Sequence, residues 1–532
     1  MRRSALFGPA LCVLAACAAS PTGAPPTGPA SRPNILLVLC DDLGWGDVAC
    51  NVAGTAAAGG SKVPTPHVDR LAADGLRFTD AHSPSSVCSP TRYGILTGRY
   101  AWRGELQESV VWQWGRPLLE DERTTLPELL RDQGYVTSAV GKWHLGWTWY
   151  GAEGEPVNDG VPYWPRDTEA RRQAAQAVDL SRPLSGGPLD HGFDRYFGDD
   201  VPNFPPRAFF EDDRVVLPET DLVPKPADLF GVAGPTSPGW DLAAVMPALE
   251  ARAVEELERF AAGDDPFFLY LALTAPHTPI APSPAFAGTT AAGAYGDFVA
   301  QVDGVVGSLL EALDRLDLTD GTLVLFTSDN GSPARDGTGM SGPVHAVTER
   351  FGHVPNGPWR GLKADLWEAG HRVPLVVRWP GRVAPGGVTD ALVGLQDLYA
   401  TLAEELGAVV PPGNAEDSAS FLGVLDDPEA AGRDELVHHS LNGSFGLRSG
   451  SWKLIPGELG SGGFSSPRVQ APGEGDPAGQ LYDLASDPAE TTNVAPPARV
   501  DTPCARSRST FEKVMRGPMP GSWTCPPWVW PA

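Results

Sequence analysis

The run ILLVLC at residues 35–40, followed at once by Asp41 and Asp42, decides how the rest of the chain is read. An apolar run with no polar interruption has no wet face, so it predicts a strand buried on both sides, as in a parallel sheet covered by helices. Four further runs rich in Val, Ile, Leu and Phe share this texture, at residues 136–140, 267–273, 322–327 and 373–378. Helical signatures lie between them. Thr65 and Pro66 supply an N-cap and a first-turn proline, Val68, Leu71 and Ala72 line one face, and Gly75 ends the segment. Residues 126–132, closed by Gly134, and residues 298–316 repeat the pattern. Strands alternating with helices predict an α/β fold, a large and mostly parallel sheet sandwiched by helices.

Such a sheet binds ligands beyond the carboxyl ends of its strands. Asp41-Asp42 follows the first run, Gly141-Lys142-Trp143-His144 the second, Ala275-Pro276-His277 the third and Ser328-Asp329-Asn330-Gly331 the fourth. Clusters far apart in sequence are therefore expected on one rim. Asp41, Asp42, Asp329 and Asn330 are hard oxygen donors, suited to calcium or magnesium and poorly suited to zinc or copper. Either pair alone is equally well explained by loop solvation or helix capping. Together on one rim they repel unless a cation or proton compensates them, which favours a metal site.

With 532 residues, 42% of them hydrophobic and 20% charged, the chain can bury a large core and is not of the disordered class. A formal net charge of -26 argues against nucleic acid or an anionic membrane surface as partner. The 61 glycines and 54 prolines predict long ordered loops. From about residue 436 the texture changes to HHSLNGSFGLRSGSWKLIP and later GQLYDLASDPAETTNVA, apolar positions alternating around turn residues. A small antiparallel sheet is expected there. Seven cysteines build no disulfide framework. Cys504 and Cys525 are candidates to pair, Cys40 and Cys50 read as plain buried residues, and Cys88 stands apart.

The chain begins with an export signal: Arg2 and Arg3, then an apolar run over residues 5–14, too short to span a bilayer. Leu14-Ala15-Ala16-Cys17 resembles the lipobox of bacterial lipoproteins. That resemblance implies an exported protein, periplasmic or at the cell surface, touching the membrane only through a lipid on Cys17. The expected organisation is a signal over 1–17, a flexible tether over 18–31, a catalytic domain over 32–435 and a C-terminal subdomain over 436–532.

Cys88 lies in SVCSPTRYGILTGR, residues 86–99. Cys-Ser-Pro-Thr-Arg with its Leu-Thr-Gly-Arg tail resembles the signature of type I sulfatases. Asp-Asp, Gly-Lys-Trp-His, Pro-His-Thr-Pro and Asp-Asn-Gly occur with it in the order of that family. The resemblance runs from Pro33 to the Tyr-Asp-Leu-Ala segment, and around His191 it is similar to arylsulfatase A and N-acetylgalactosamine-6-sulfatase-like members. It implies an alkaline-phosphatase-like fold and a Cys88 oxidised to formylglycine by a maturation enzyme. By the same resemblance, Asp41, Asp42, Asp329, Asn330 and the modified Cys88 hold one calcium ion. Arg92 would hold the hydrated aldehyde and the oxygens on the metal side, a role suited to its rigid fork of donors. Lys142 would hold sulfate and His144 would act as base, while His277 and Lys363, the latter in Gly361-Leu362-Lys363, would contact sulfate and protonate the departing alcohol.

Pro90 fits the first turn of a helix opening just after Cys88, whose N-terminal dipole favours an anion. The overall negative charge does not oppose an anionic substrate, because exposed charge is screened beyond about 8 Å at physiological salt. Trp-, Pro- and Gly-rich segments at 143–164, 191–206 and 331–359 are expected to build the pocket rim. Aromatic residues there would suit a sulfated small molecule or glycan, with a sulfated carbohydrate preferred. Two rivals stand beside this reading. One is a phosphonate or phosphate monoester hydrolase of the same superfamily, and the other a lipoprotein that binds sulfated glycans with Cys88 never matured.

Overall fold

The computed structural model describes residues 32–52, 61–216, 223–225 and 233–496. The expected signal with Cys17, the expected tether at 18–31, and Cys504 and Cys525 lie outside the described residues. In chain order the main sheet comprises β1 (Asn34–Asp41), β2 (Leu76–Phe78), β3 (Val136–Gly141), β4 (Arg195–Gly198), β5 (Phe210–Glu211), β6 (Arg214–Val215), β7 (Phe267–Pro276), β8 (Thr322–Ser328), β9 (Leu375–Arg378) and β10 (Gly387–Thr389). In space they lie in the order β10-β2-β9-β8-β1-β7-β3-β4-β5-β6. The five strands β8, β1, β7, β3 and β4 are contiguous and parallel.

The predicted run at 373–378 is β9, which starts two residues later and pairs antiparallel with β8 and β2. Its reversal matters for the site. The residues that precede β9, not those that follow it, reach the rim where the parallel strands end, and Lys363 is among them.

Strand β1 explains why its sequence is apolar throughout. Ile35, Leu37 and Leu39 point into one core, shared with Ile95 and Leu96 of α2 (Cys88–Thr97) and Leu126 and Leu130 of α3 (Leu126–Asp132). Leu36, Val38 and Cys40 point into the other, shared with Val68 and Leu71 of α1 (Pro66–Ala73), Leu249 and Leu257 of α4 (Val245–Ala261) and Phe298 and Val302 of α5 (Gly293–Arg315). Period-two alternation thus feeds two helical layers. Each fully buried Leu or Phe contributes about 1.5–3 kcal/mol, so a charge on either face would unseat a whole layer.

Two cysteine expectations divide: Cys40 is fully buried at the end of β1, whereas Cys50 is half-buried. For three tryptophans of the 143–164 segment the expected place on the rim is corrected. Trp143, Trp147 and Trp149 are buried, packing on Phe193, Phe210, Tyr196 and Trp114. Core packing, not substrate, accounts for them.

The C-terminal antiparallel sheet follows as β11 (Glu435–His439), β12 (Phe445–Ser449), β13 (Trp452–Pro456) and β14 (Gly479–Asp483). Its seam with the main body is polar and buried. Lys453 Nζ meets Glu368 Oε1 at 3.1 Å, Arg448 Nη1 meets Glu368 Oε2 at 3.1 Å, and the His438 ring stacks on His371 at 3.6 Å. Among the described residues, no helix is long and apolar enough to cross a membrane.

Candidate active site

Strand register assembles the site. Asp41 at the end of β1 lies opposite Pro276 of β7, and Cys40 lies opposite Ser328 of β8. The polar residues that follow these strands, and those after β3, therefore emerge side by side. Asp42 and His144 adopt left-handed backbone, at φ 66° and 58°, a conformation that costs a non-glycine residue about 1–2 kcal/mol. The turn at Asp42 brings its N–H to Asp329 Oδ1 at 3.3 Å.

Cys88 opens α2, one position earlier than the sequence suggested, with Pro90 in the first turn. Its Sγ lies 3.4 Å from Asp41 Oδ1 and 3.3 Å from Lys363 Nζ. Lys142 Nζ donates to Asp41 Oδ2 at 2.6 Å, and Lys363 Nζ also donates to Asp42 Oδ1. Arg92 directs Nε and Nη2 at Asp329 Oδ2, at 3.0 and 2.8 Å, and Nη1 at the Lys142 carbonyl at 2.9 Å. Asn330 Nδ2 donates to Asp42 Oδ1 at 2.7 Å, and His277 Nε2 stands 3.8 Å from Asp42 Oδ2. Every residue predicted for the site is thus brought together. His144 joins from one side, its Nε2 held 2.9 Å from the Val111 carbonyl.

The electrostatics are those of a compensated cluster. Burial works against ionisation of Asp41, but His277, Lys142 and Arg92 together hold its carboxyl well below the usual carboxylate range. His277 is itself pushed down to about 4 by burial, so above that pH Lys142 and Arg92 carry the pull. Asp329 goes the other way, pushed up to about 6 by burial and by Asp41, with Arg92 opposing. Burial works against the Lys363 ammonium, yet the Asp42 carboxylate and Cys88 raise its pKa. Burial, with Lys142 and Arg92, pushes His144 well below its ordinary value. Three carboxylates facing Lys142, Lys363 and Arg92 roughly cancel, so a divalent cation added here would leave the pocket positive, which is what an anionic substrate requires.

Asp41, Asp42 and Asp329 supply the oxygen donors that a hard cation takes. The group whose ligand atoms all lie within 4.8 Å of one another is Asp41, Asp42, Cys88 and His277, with the His277 imidazole where Asp329 was expected. Among the described residues the Oδ1 atom of Asn330 is buried without a hydrogen-bond partner, an orphan acceptor that a metal would satisfy.

Sequence reading missed the residues that hold this cluster in place. Asp47, after the Asp41-Asp42 turn, accepts from Tyr295 Oη at 2.6 Å and His353 Nε2 at 2.7 Å, and also from Gly44 N at 2.8 Å. Ser89 Oγ accepts the Val111 N–H at 3.1 Å, fixing the carbonyl that orients His144. Asp199 and Asp200 follow β4 just as Asp41 and Asp42 follow β1, and Asp200 Oδ1 accepts the His144 N–H at 3.1 Å. That pair was findable from the rim rule. Its strand, Arg-Tyr-Phe-Gly, is too short and too polar at its start to announce itself.

Comparison with known proteins agrees with this geometry. Residues 33–408 match the family model described as Sulfatase. The chain is 31% identical over 482 residues to N-acetylgalactosamine-6-O-sulfatase of Bacteroides thetaiotaomicron, covering 87% of this chain and 90% of the relative. It is 32% identical over 490 residues to human arylsulfatase A, covering 87% and 84%. A solved structure from work on the metabolism of multiple glycosaminoglycans by Bacteroides thetaiotaomicron superposes with a TM-score of 0.73 at 29% identity, covering 91% of this chain and 97% of that one.

Proposed function

The chain belongs to the sulfatase family and is a sulfuric ester hydrolase, and from that premise we propose that it cleaves sulfate monoesters of a sulfated carbohydrate, using a formylglycine made from Cys88 and a bound calcium ion. The observation that carries this is the position of Cys88. Its Sγ sits in the first turn of a ten-residue helix, 3.4 Å from Asp41 Oδ1 and 3.3 Å from Lys363 Nζ. Asp41, Asp42, Asp329 and Asn330 would hold the calcium, which with the hydrated aldehyde supplies a nucleophilic oxygen near neutral pH.

The chain's own residues do the rest. Lys142, Lys363 and the amino end of α2 neutralise the sulfate and its developing charge. Arg92, fully buried, fixes the nucleophile's surroundings through Asp329 and the Lys142 carbonyl. His144 accepts a proton at Nδ1, since Nε2 is committed to Val111. Lys363 is the group that can donate to the departing alcohol, because its ammonium stays charged, whereas neutral His277 keeps its proton on Nδ1, held by the Thr278 carbonyl.

The carbohydrate substrate is supported by relatives named for amino-sugar sulfatase activity, and no observation favours the phosphonate hydrolase or unmatured binding protein. Export as a lipoprotein anchored through Cys17, and dependence on a maturation enzyme, complete the reading. The test is mass spectrometry of the Cys88 peptide from native-host protein, beside turnover of defined sulfated sugars. The aldehyde is about 18 Da lighter than the thiol. An unmodified thiol, or a Cys88→Ala variant that still turns over, overturns the mechanism.

A further inference from the structure

We propose that Arg166 is an anion-recognition residue at the mouth of the site, so that the preferred substrate is a polyanionic glycan carrying a second negative group besides the sulfate that is cleaved. This deepens the sulfatase reading above and rests on it.

Contacts lead outward from the chemistry. The Val111 carbonyl holds His144, so the next residue, Trp112, stands beside the site. The half-buried Trp112 ring meets Phe204 at 5.3 Å, and Phe204 meets the His144 ring at 6.0 Å. The Arg166 guanidinium lies over the Trp112 ring at 4.8 Å. It is exposed, and among the described residues it has neither an ion-pair partner nor a hydrogen bond. Stacking on an indole holds the guanidinium by its face and leaves its fork of N–H donors open, the geometry that suits a carboxylate or a second sulfate.

The arrangement is built. Trp112 Nε1 donates to Ser109 Oγ at 3.1 Å. Buried Arg171 donates Nη1 to the Gln113 carbonyl and Nη2 to the Pro162 carbonyl, each at 2.6 Å, which locks the Trp112 loop to the loop that carries Arg166. Burial pushes the pKa of Arg171 down to about 10, a measure of how poorly carbonyls alone compensate it. Arg171 thus ties together the backbone on either side of the Arg166–Trp112 contact before any substrate arrives.

The experiment compares matured wild type with Arg166→Ala on three esters: 4-methylumbelliferyl sulfate, a sulfated disaccharide containing a uronate, and the same disaccharide with that carboxyl reduced to an alcohol. Wild type is expected to prefer the uronate form. In Arg166→Ala, KM for that form rises about 10-fold with kcat unchanged, the two monoanionic esters are unaffected, and Arg166→Lys recovers part of the loss. Equal losses on all three esters, no change on the uronate form, or a wild type indifferent to the carboxyl overturns the proposal. A wild type that hydrolyses none of the three removes the sulfatase reading itself, an outcome distinguishable from the others.

Discussion

The Nε2 atom of His144 lies 2.9 Å from the carbonyl oxygen of Val111, and because a carbonyl only accepts, this nitrogen must carry the proton. Nδ1 then carries the lone pair, and among the described residues it is buried with no hydrogen-bond partner. A base with one nitrogen tied to the backbone and the other open is oriented for one task.

His144→Asn should therefore lower kcat by about 10²–10⁴ while leaving KM for the ester little changed. Burial and neighbouring cations hold the His144 pKa well below its ordinary value, so the imidazole stays neutral as pH falls through 6.5. The acid limb attributable to His144 should lie below that pH. Steady-state kinetics from pH 5 to 8 check both expectations, and a wild-type rate already halved at pH 6.5 by loss of this base would contradict the assignment.

How much of this was legible follows from the physics of each element. The rim was readable because a strand buried on both faces must be apolar, so the first polar residues after it stand out; Asp41, Lys142, His277 and Asp329 were found that way. Lys363 was not readable by that rule, because β9 runs backwards and Lys363 precedes it. It rested on resemblance alone. Trp143, Trp147 and Trp149 misled because an aromatic-rich loop looks the same whether its rings face substrate or one another. His353 and Tyr295 were invisible, since their role depends on a contact with Asp47 across a large sequence separation.

Removing the metal should destabilise the fold as well as stop turnover. Lys142 and Asp41 meet at 2.6 Å with both side chains fully buried, so each neutralises the other. Lys142→Ala leaves Asp41 with only more distant compensation, chiefly Arg92 at 3.9 Å, and the loss of a buried ion-pair partner should cost up to about 3–5 kcal/mol. Calcium should restore part of that stability. Thermal unfolding of wild type and variant, with chelator and with added calcium, gives the comparison: a variant no more calcium-dependent than wild type argues against Asp41 as a ligand.

Gly331, the glycine of Asp-Asn-Gly, has a steric reason to be there. A Cβ on it would lie 1.7 Å from the Ala369 carbonyl oxygen and 3.2 Å from Asn356 Oδ1. The first neighbour is backbone and cannot turn aside, so Gly331→Ala must displace the chain bearing Asp329 and Asn330. Loss of calcium affinity by at least about 10-fold is expected even where the protein still folds. Calorimetric titration checks this, and a variant with wild-type affinity refutes it.

Acid should unfold the protein in two stages, both set at the seam of the C-terminal sheet. Burial pushes His82, His371 and His438 below their ordinary value, His371 and His438 strongly. The unfolded chain then takes up protons first, so stability falls as pH drops below about 6.5. Glu368 acts lower down. Burial works against its ionisation, but Lys453, Arg448 and Arg372 hold its carboxyl well below the usual range. Its contribution is complete above the unfolded value of about 4.3 and is lost as pH falls through the folded one. His438→Leu should flatten the upper stage, because among the described residues both ring nitrogens of His438 lack hydrogen-bond partners, so a leucine keeps the packing on His371 and removes the protonation penalty. Glu368→Gln should cost about 1.5–3 kcal/mol at pH 7 and flatten the lower stage, because Arg372, Arg448 and Lys453 each lose one of two carboxylates and keep only Asp80 or Glu490. Melting temperatures between pH 3 and 8 separate the two stages, and a His438→Leu profile parallel to that of wild type between pH 7 and 5 would place the upper stage elsewhere.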